Sequence, residues 1–238
     1  MSIFEHILIN PFLVMKKIIL SAFLLGAMLV TKNTMAQVTV GPKLGLNIAH
    51  IYADDEVGFP DHKSKVGFQV GGMLNAQIND YFAIRPELLF NNIGSKFEND
   101  FVSITFNTNY LSIPVNFVGQ YPINDQFKLQ AFAGPYMAFG LGGKYKMETP
   151  FGDIDGSIKM KKNPSTGGGD FYLNSLDFGL NFGLGFQYSA FVFTANYGLG
   201  LTNLESHYKD PAGEDQRGEE KMHNRNITLG VAWLFGGE

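Results

Sequence analysis

Residues 177–188, DFGLNFGLGFQY, decide the fold. Every second residue in this stretch is large and apolar, and the residues between them are small or polar. In a β-strand, successive side chains point to opposite faces of the sheet, so this strand would have one apolar face and one face of glycine and small polar groups. The pattern predicts a strand whose two faces meet different surroundings. The apolar set is Phe178, Leu180, Phe182, Leu184, Phe186 and Tyr188.

The same alternation recurs along the rest of the chain. No stretch after residue 36 shows a sustained helical period. The other predicted strands cover residues 38–48, 66–78, 82–90, 111–117, 127–141, 191–201 and 227–235. Together with residues 177–188, they predict an all-β fold of eight strands.

The connections between these strands alternate between short and long. Residues 79–81, 122–126 and 189–190 are hairpin-length turns. The other connections are long and polar, around residues 54–64, 94–102, 143–173 and 203–223. An antiparallel up-and-down barrel would place every tight turn at one end, which is typical of eight-stranded transmembrane β-barrels of the outer membrane.

Alternation alone does not say which face is inside, so a soluble barrel with an apolar lumen is the alternative. Its outer face would normally carry many charged residues, whereas only 17% of this chain is charged. Glycine and small polar residues suit the narrow interior of an eight-stranded barrel better. We therefore predict an apolar face turned to lipid and a polar cluster with a structural role in the lumen. That cluster comprises Lys43, Arg85, Glu87, Lys128 and Asp177.

Aromatic residues and prolines add two expectations. Aromatics recur at the tight-turn end of every predicted hairpin and indicate an interfacial girdle. They are Tyr81, Phe82, Tyr121, Phe127, Tyr188, Phe191, Trp233 and Phe235. Four prolines fall inside predicted strands, where a missing N–H should break the ladder, so we expect bulges or strand ends there. They are Pro42, Pro86, Pro114 and Pro135.

The composition excludes several function classes. The chain has 238 residues, a formal charge of −4 and no cysteine. Nucleic-acid binding needs clustered Lys and Arg, and the net charge here has the opposite sign. Thiolate metal sites, disulfide frameworks, Cys nucleophiles and lipid-anchored cysteines all require the missing residue. We expect no nucleic-acid partner, no cofactor and no resident metal.

The first 36 residues predict export. Lys16 and Lys17 precede the apolar run 18–30, and Thr34-Met35-Ala36 follows it as a small-residue cleavage site. This order is typical of a cleavable signal peptide, and the apolar run is too short to span a membrane. Met15 fits a start of that signal, which would make residues 1–14 an upstream extension. Residues 37–238 then form the barrel domain, and the predicted location is the outer membrane.

Five short segments resemble the PorT-like outer-membrane β-barrel domain family, which is common in Bacteroidetes. They are Lys43-Leu44-Gly45-Leu46-Asn47, Pro86-Glu87-Leu88-Leu89-Phe90, Tyr110-Leu111-Ser112-Ile113-Pro114, Ala133-Gly134-Pro135-Tyr136 and Tyr197-Gly198-Leu199 with Asn203 after it. The resemblance extends over residues 38–235. Ser112 stands where the family often has an acidic residue. The resemblance implies a barrel in the outer membrane and no particular substrate.

The long connections hold the remaining candidate groups. Acidic and histidine residues crowd the first and last of them, without the spacing of a calcium loop. They are Asp54, Asp55, Glu56, Asp61, His62, Glu205, His207, Asp210, Glu214, Asp215, Glu219, Glu220 and His223. Ser64 near His62 and Ser206 beside His207 lack a nucleophile elbow. Gly167-Gly168-Gly169 lacks the Lys-Ser/Thr of a phosphate loop. We read these groups as solvated loops rather than sites.

Three functions remain open at this stage. The first is a structural, envelope-assembly or surface-interaction protein that lies in outer-membrane lipid and meets envelope proteins through its long loops or periplasmic turns. The second is a porin-like channel for small solutes. The third is a lipid-modifying membrane enzyme. Our prediction is the first function, without enzymatic activity.

Overall fold

A computed structural model describes most of the chain after the predicted signal peptide. The described residues are 37–53, 62–98, 102–161, 171–205, 208–209, 215–216 and 222–236. The predicted signal peptide, the acidic stretch 54–61 and the triple glycine lie outside this range, as do residues 206–207. Within the described residues, no helix is long and apolar enough to cross a membrane.

Twelve β-strands make up the described part of the chain. They are β1 (Gln37–Ala53), β2 (His62–Gln77), β3 (Phe82–Glu98), β4 (Ser103–Pro122), β5 (Phe127–Thr149), β6 (Gly152–Met160), β7 (Phe171–Leu173), β8 (Leu176–Tyr188), β9 (Phe191–Gly200), β10 (Tyr208–Lys209), β11 (Asp215–Gln216) and β12 (Met222–Trp233). Eight of them form a closed antiparallel ring in the order β1-β2-β3-β4-β5-β8-β9-β12, and β12 pairs back with β1. The predicted eight-stranded up-and-down barrel is confirmed.

The long connection predicted at residues 143–173 is partly wrong. β5 continues to Thr149 and turns back as β6, and β7 then pairs with β6 in parallel. Residues 144–148 alternate charged and apolar side chains, which is a strand pattern. The charges at these positions favoured a solvated loop, but the residues pair with β4 on one side and β6 on the other.

The strands on one side of the ring are much longer than a bilayer requires. β1 to β5 have 17, 16, 17, 20 and 23 residues, whereas β8, β9 and β12 have 13, 10 and 12. A transmembrane strand needs about 9–11 residues. The tight turns fix the other end of the barrel. The residues of β3, β4 and β5 beyond the length that a bilayer needs therefore extend these strands towards the long connections. These strands and β6 form what we call the exterior wall.

The two faces of the ring are divided as predicted. Outward residues such as Phe68, Leu184 and Leu229 are exposed, whereas inward residues such as Arg85 and Thr228 are buried. An apolar outward face would be costly in water, because each large apolar side chain gains about 1.5–3 kcal/mol on leaving it. The orientation with the apolar face turned to lipid is therefore confirmed, and the soluble barrel is excluded.

The aromatic residues at the tight-turn end lie on the outward surface, as expected for a girdle. Seven of them are exposed: Tyr81, Phe82, Tyr121, Tyr188, Phe191, Trp233 and Phe235. Several stack on each other around the ring. The rings of Phe191 and Trp233 lie parallel at 6.5 Å, and Trp233 meets Phe235 edge-on at 6.0 Å.

The four prolines lie inside strands rather than at bulges or strand ends, so that expectation is wrong. Pro42 lies opposite Gly72 in an uninterrupted run of β1–β2 pairs. Pro86 lies opposite Val115, and the β3–β4 register is the same on both sides of this pair. Pairs are missing at residues 87–88 of β3, opposite Pro114, and at residues 134–135 of β5, but the register is the same on both sides of each gap.

Two of the tight turns share a sequence and a hydrogen-bond pattern. The β2–β3 turn contains Ile-Asn-Asp-Tyr-Phe at 78–82, and the β4–β5 turn contains Ile-Asn-Asp-Gln-Phe at 123–127. The Asn79 side-chain oxygen accepts from the backbone N–H groups of Tyr81 and Phe82, both at 2.9 Å. Asn124 does the same with the residues two and three positions after it. This side-chain acceptor mimics a backbone turn and fixes the hairpin.

Candidate functional site: the barrel interior

The first predicted interior pair is an ion pair across two strands. Lys43 of β1 donates to Glu87 Oε2 of β3 at 2.7 Å, and both side chains are almost completely buried. β2 lies between β1 and β3, so the pair crosses the lumen over it. In a buried pair of this kind, each charge is tolerated in the interior only because the opposite charge is present.

Arg85 lies in the same strand as Glu87 but binds neutral groups. Its Nε donates to Asn75 Oδ1 at 3.2 Å, and its Nη2 donates to Gln130 Oε1 at 2.9 Å. Its Nη1 has no hydrogen-bond partner, and the side chain is 1% exposed. The guanidinium is thus held by amide oxygens of β2 and β5.

Asp177 is a buried charged residue at the end of β8 that lies next to the long connections. The Tyr136 hydroxyl and Asn224 Nδ2 both donate to its Oδ2, at 3.2 and 2.9 Å. Its Oδ1 has no hydrogen-bond partner, although the residue is 2% exposed. Two neutral donors therefore share one carboxylate oxygen and leave the other without a partner.

Lys128 lies apart from these groups, near the tight turns. It is half-buried, and its Nζ lies 3.5 Å from Gln77 Oε1. The five predicted lumen residues do not form one network in the structure. They form one ion pair and three charges held by neutral side chains.

A belt of amide and hydroxyl groups crosses five strands and was not predicted from the sequence. Thr228 donates to Asn47 Oδ1 at 2.7 Å, and Asn91 donates to Ser112 Oγ at 2.9 Å. Asn47 and Gln69 both donate to Asn91 Oδ1. We call this set the amide belt: Asn47, Gln69, Asn91, Ser112, Asn226 and Thr228. The signal in the sequence was the asparagine and glutamine at inward positions of every neighbouring strand.

Asn47 of the amide belt also donates a hydrogen bond to the backbone at a strand irregularity. The β2–β3 register shifts between Ser64 and Gln69, which leaves carbonyl groups of β2 without regular ladder partners. Asn47 Nδ2 donates to the Phe68 carbonyl oxygen at 3.0 Å. A side chain from β1 therefore satisfies a backbone group that the bulge frees in β2.

Aromatic rings of β5 fill the space above glycines of β8. Phe132 lies directly opposite Gly183, and Tyr136 lies opposite Gly179. A Cβ atom added at either glycine would overlap with the ring of its partner. Glycine on the inner face thus makes room for aromatic rings of the neighbouring strand.

Apolar clusters close the interior at both ends. Towards the tight turns, the cluster comprises Met73, Val192, Ala232 and Leu234. Towards the long connections, it comprises Ile158, Leu173 and Leu204, packed against Phe106, Tyr145, Met160 and Met222. Met160 of β6 also packs against the inward side chains below it, which include Tyr110 and Ala138. The hairpin that replaces the predicted loop therefore caps the lumen.

A small cavity lies in the interior between these clusters. Its volume is about 50 Å³, and its wall includes the Lys43–Glu87 pair, Asp177 and most of the amide belt. A water molecule needs roughly 10–15 Å³ of such volume, so the cavity has room for about four.

The tip of the β5–β6 hairpin carries an exposed cluster of charged residues. Lys146 donates to Glu148 at 2.7 Å and to Asp153 at 2.9 Å, and these carboxylates raise the pKa of the lysine. The Phe151 side chain at the turn is completely exposed. This hairpin presents an aromatic group to solvent beyond the bilayer.

The predicted acidic and histidine groups are only partly described. No group of three or more His, Asp or Glu side chains capable of holding a metal is present among the described residues. His223 is half-buried, and its Nδ1 lies 3.1 Å from the Thr202 carbonyl oxygen. The side chains of His62, Ser206 and His207 lie outside the described set, so the interpretation of these residues as solvated loop groups rather than catalytic pairs stays a prediction.

The sequence itself matches a known domain family. The description of that family is outer membrane protein β-barrel domain, and the match covers residues 32–206, which is more than half of the chain. The chain belongs to the outer membrane protein β-barrel domain family. It is an outer-membrane β-barrel protein, embedded in the lipid of that membrane. No curated protein matches the sequence.

Solved barrels similar to this outer-membrane protein are distant in sequence. The attachment invasion locus protein Ail of Yersinia pestis is 16% identical, with a TM-score of 0.41 over 84% of this chain and 100% of Ail. OprG from Pseudomonas aeruginosa is 11% identical, with a TM-score of 0.45 over 86% of this chain and 98% of OprG. The protease OmpT from Escherichia coli is 11% identical, with a TM-score of 0.37 over 86% of this chain and 99% of OmpT.

Proposed function

We propose that this barrel is a non-conducting structural or surface-interaction protein of the outer membrane. The observation that carries the proposal is the closed interior. Apolar clusters fill both ends of the lumen, and the space between them is a cavity of about 50 Å³. A solute path would need a continuous polar channel, so the small-solute channel is the weaker alternative.

Conductance across planar bilayers tests the proposal. We expect folded protein, verified by its heat-dependent gel shift, to show no reproducible unit conductance, while a porin in the same bilayers conducts. A constant unit conductance that disappears after the barrel is unfolded by heat would refute the non-conducting role and support the channel.

The exterior wall supports an interaction role. β3, β4, β5 and β6 extend beyond the span that a bilayer needs, and the hairpin tip presents Phe151. Exposed aromatic side chains on ordered turns are frequent anchors in protein interfaces. We infer that envelope or surface proteins meet the barrel at this wall or at the tight turns.

Residue-specific photocrosslinking in the intact envelope tests that contact. A crosslinker placed at residue 151 should yield discrete adducts, whereas one placed at the lipid-facing position 184 should yield none with soluble partners. Equal adduct patterns from both positions would contradict a specific wall contact.

We also propose, from the resemblance to the PorT-like family, that the charged lumen residues have a structural role. The five segments that carry it include Pro86-Glu87-Leu88-Leu89-Phe90 of β3, whose Glu87 is half of the buried ion pair. We infer that the charged lumen residues have a structural role, because their partners are other interior side chains. If they served transport instead, Glu87→Gln would alter solute uptake by whole cells without changing the amount of folded barrel.

We also propose that residues 1–36 are removed on export and that residues 37–238 form the mature domain. The basic residues, apolar run and small-residue site in that order support cleavage after Ala36. Amino-terminal sequencing of protein isolated from outer membranes should begin at Gln37. A sequence that begins before Lys16 would overturn the assignment.

We further propose that the barrel is not an enzyme. The described residues lack a metal-binding group, and His223 contacts a backbone carbonyl rather than a nucleophile. Lipid-turnover assays on wild-type protein should show no activity above that of empty vesicles. Turnover that His62→Ala or His207→Ala abolishes would support a lipid-modifying enzyme.

A further inference from the structure

A groove lies on the outward, lipid-facing surface of β1, β8, β9 and β12. Its volume is about 790 Å³, which lies within the roughly 300–1,000 Å³ of typical ligand pockets. Its walls are apolar side chains of the outward face, among them Leu44, Leu46, Leu184, Phe186, Phe193 and Leu229. The groove therefore belongs to the surface that contacts lipid and is separate from the interior cavity.

Ala195 of β9 is the residue that produces this groove. The outward residues next to it along β9 are Phe193 and Tyr197, and its cross-strand partners are Leu184 of β8 and Leu229 of β12. All four neighbours are large, so the alanine leaves a depression between them. Inward glycines also line the groove, which shows that it reaches the backbone of the sheet: Gly45, Gly185 and Gly230.

The depth of Ala195 in the membrane limits what can enter the groove. Phe191 of the aromatic girdle lies four residues before Ala195. The rise and tilt of a transmembrane strand place Ala195 roughly 10 Å from the girdle, whereas the apolar band of such a barrel is about 25 Å tall. The groove is therefore near the middle of the bilayer, where lipid headgroups and soluble proteins do not reach.

We propose that the groove binds an acyl chain of a membrane phospholipid. The surface around the groove already contacts lipid, so this site continues an established interface. An empty depression would lose dispersion contacts, because the atoms of its wall would have no neighbours on one side. A flexible chain can follow the floor of the groove to Ala195, whereas the convex outside of a second barrel cannot. Apolar surface alone does not drive proteins together within lipid.

Native mass spectrometry of the mature barrel in detergent tests the site. The protein is titrated with 1-palmitoyl-2-oleoyl phosphatidylethanolamine, and the fraction with one bound lipid is measured. This fraction should rise and saturate in the wild-type protein. Ala195→Phe fills the groove with a ring and should lower the bound fraction several-fold. Ala133→Phe adds the same ring to the exposed outward face of β5, outside the groove, and should bind lipid as the wild type does.

Each other outcome overturns the proposal. Several weakly bound lipids in equal numbers on all three proteins would mean that lipid covers the groove without a specific site. Dimers that Ala195→Phe dissociates would assign the groove to a second copy of the chain. The heat-dependent gel shift verifies that each variant is folded. If Ala195→Phe does not fold, Ala195→Leu serves as the second variant, because leucine already occupies neighbouring outward positions. It should also lower the bound fraction, and unchanged binding would refute the site.

Discussion

The ring of Phe132 in β5 lies directly over Gly183 in β8, its cross-strand partner. The same relationship links Tyr136 to Gly179 four residues further along β5. Aromatic side chains that cover strand glycines stabilise the sheet and fix its register, because the ring fits only where the opposite Cβ is missing. These pairs fill the centre of the barrel and hold β8 in line with β5.

Replacing Gly183 should therefore destabilise the barrel. We expect Gly183→Ala to cost about 1–3 kcal/mol, because the added Cβ overlaps with the Phe132 ring and forces it to move. Urea unfolding in detergent, followed by the gel shift, measures the change. Gly72→Ala is the matched control, since the nearest atom to its added Cβ is 3.9 Å away. The added Cβ also lies 2.8 Å from the Ala195 carbonyl oxygen, so Phe132→Leu should relieve part of the cost of Gly183→Ala. The interpretation fails if both glycine variants unfold alike, or if Phe132→Leu relieves none of the cost.

A charged side chain on the outward face should destabilise the barrel more, the deeper it lies in the bilayer. Leu184 is 67% exposed on the outward face of β8, and we expect Leu184→Lys to cost about 2–4 kcal/mol near the bilayer midplane. Phe151→Lys is the control, because the hairpin tip lies beyond the lipid and its side chain is already in solvent. The free energy of unfolding in lipid vesicles compares the two. Equal and small costs would contradict the lipid-facing orientation.

The ion pair of Lys43 and Glu87 should behave as a buried pair. Lys43→Met leaves Glu87 without its partner, and we expect a loss of about 3–5 kcal/mol in the free energy of unfolding. The double variant Lys43→Met/Glu87→Leu should recover most of that loss, because no lone charge remains. Lys146→Met breaks an exposed pair and should leave the stability nearly unchanged, because ion pairs in contact with solvent contribute little. Similar losses in all three variants would contradict the buried contact.

Much of this fold could be predicted because strand alternation has a fixed period. Each inward position of β8, from Asp177 to Gln187, could be read from residues 177–188 alone. The tight turns set the strand order, since hairpin-length connections join antiparallel neighbours. The β5–β6 hairpin was missed because Lys144, Lys146 and Glu148 made an exposed strand resemble a loop.

The contacts inside the barrel could not be predicted in the same way. Alternation places Arg85 and Glu87 on one face, but it does not say which side chain of another strand each will meet. Register and ring closure decide that Glu87 binds Lys43 across β2 and that Arg85 binds Asn75 and Gln130. The sequence therefore identifies lumen residues, whereas their partners follow from the three-dimensional arrangement.

The repeated turn sequence gives the last prediction. Asn79 and Asn124 each accept two backbone N–H groups in equivalent turns, so Asn79→Ala should lower the free energy of unfolding by about 0.5–1.5 kcal/mol. Asn79→Asp keeps the acceptor oxygen and should retain most of the stability. Because the two turns connect different strand pairs, the loss in Asn79→Ala/Asn124→Ala should equal the sum of the single losses. Urea unfolding of the wild-type protein, Asn79→Asp, the two single alanine variants and the double variant measures these changes. A double variant as stable as either single variant would show that the asparagines do not fix the turns independently.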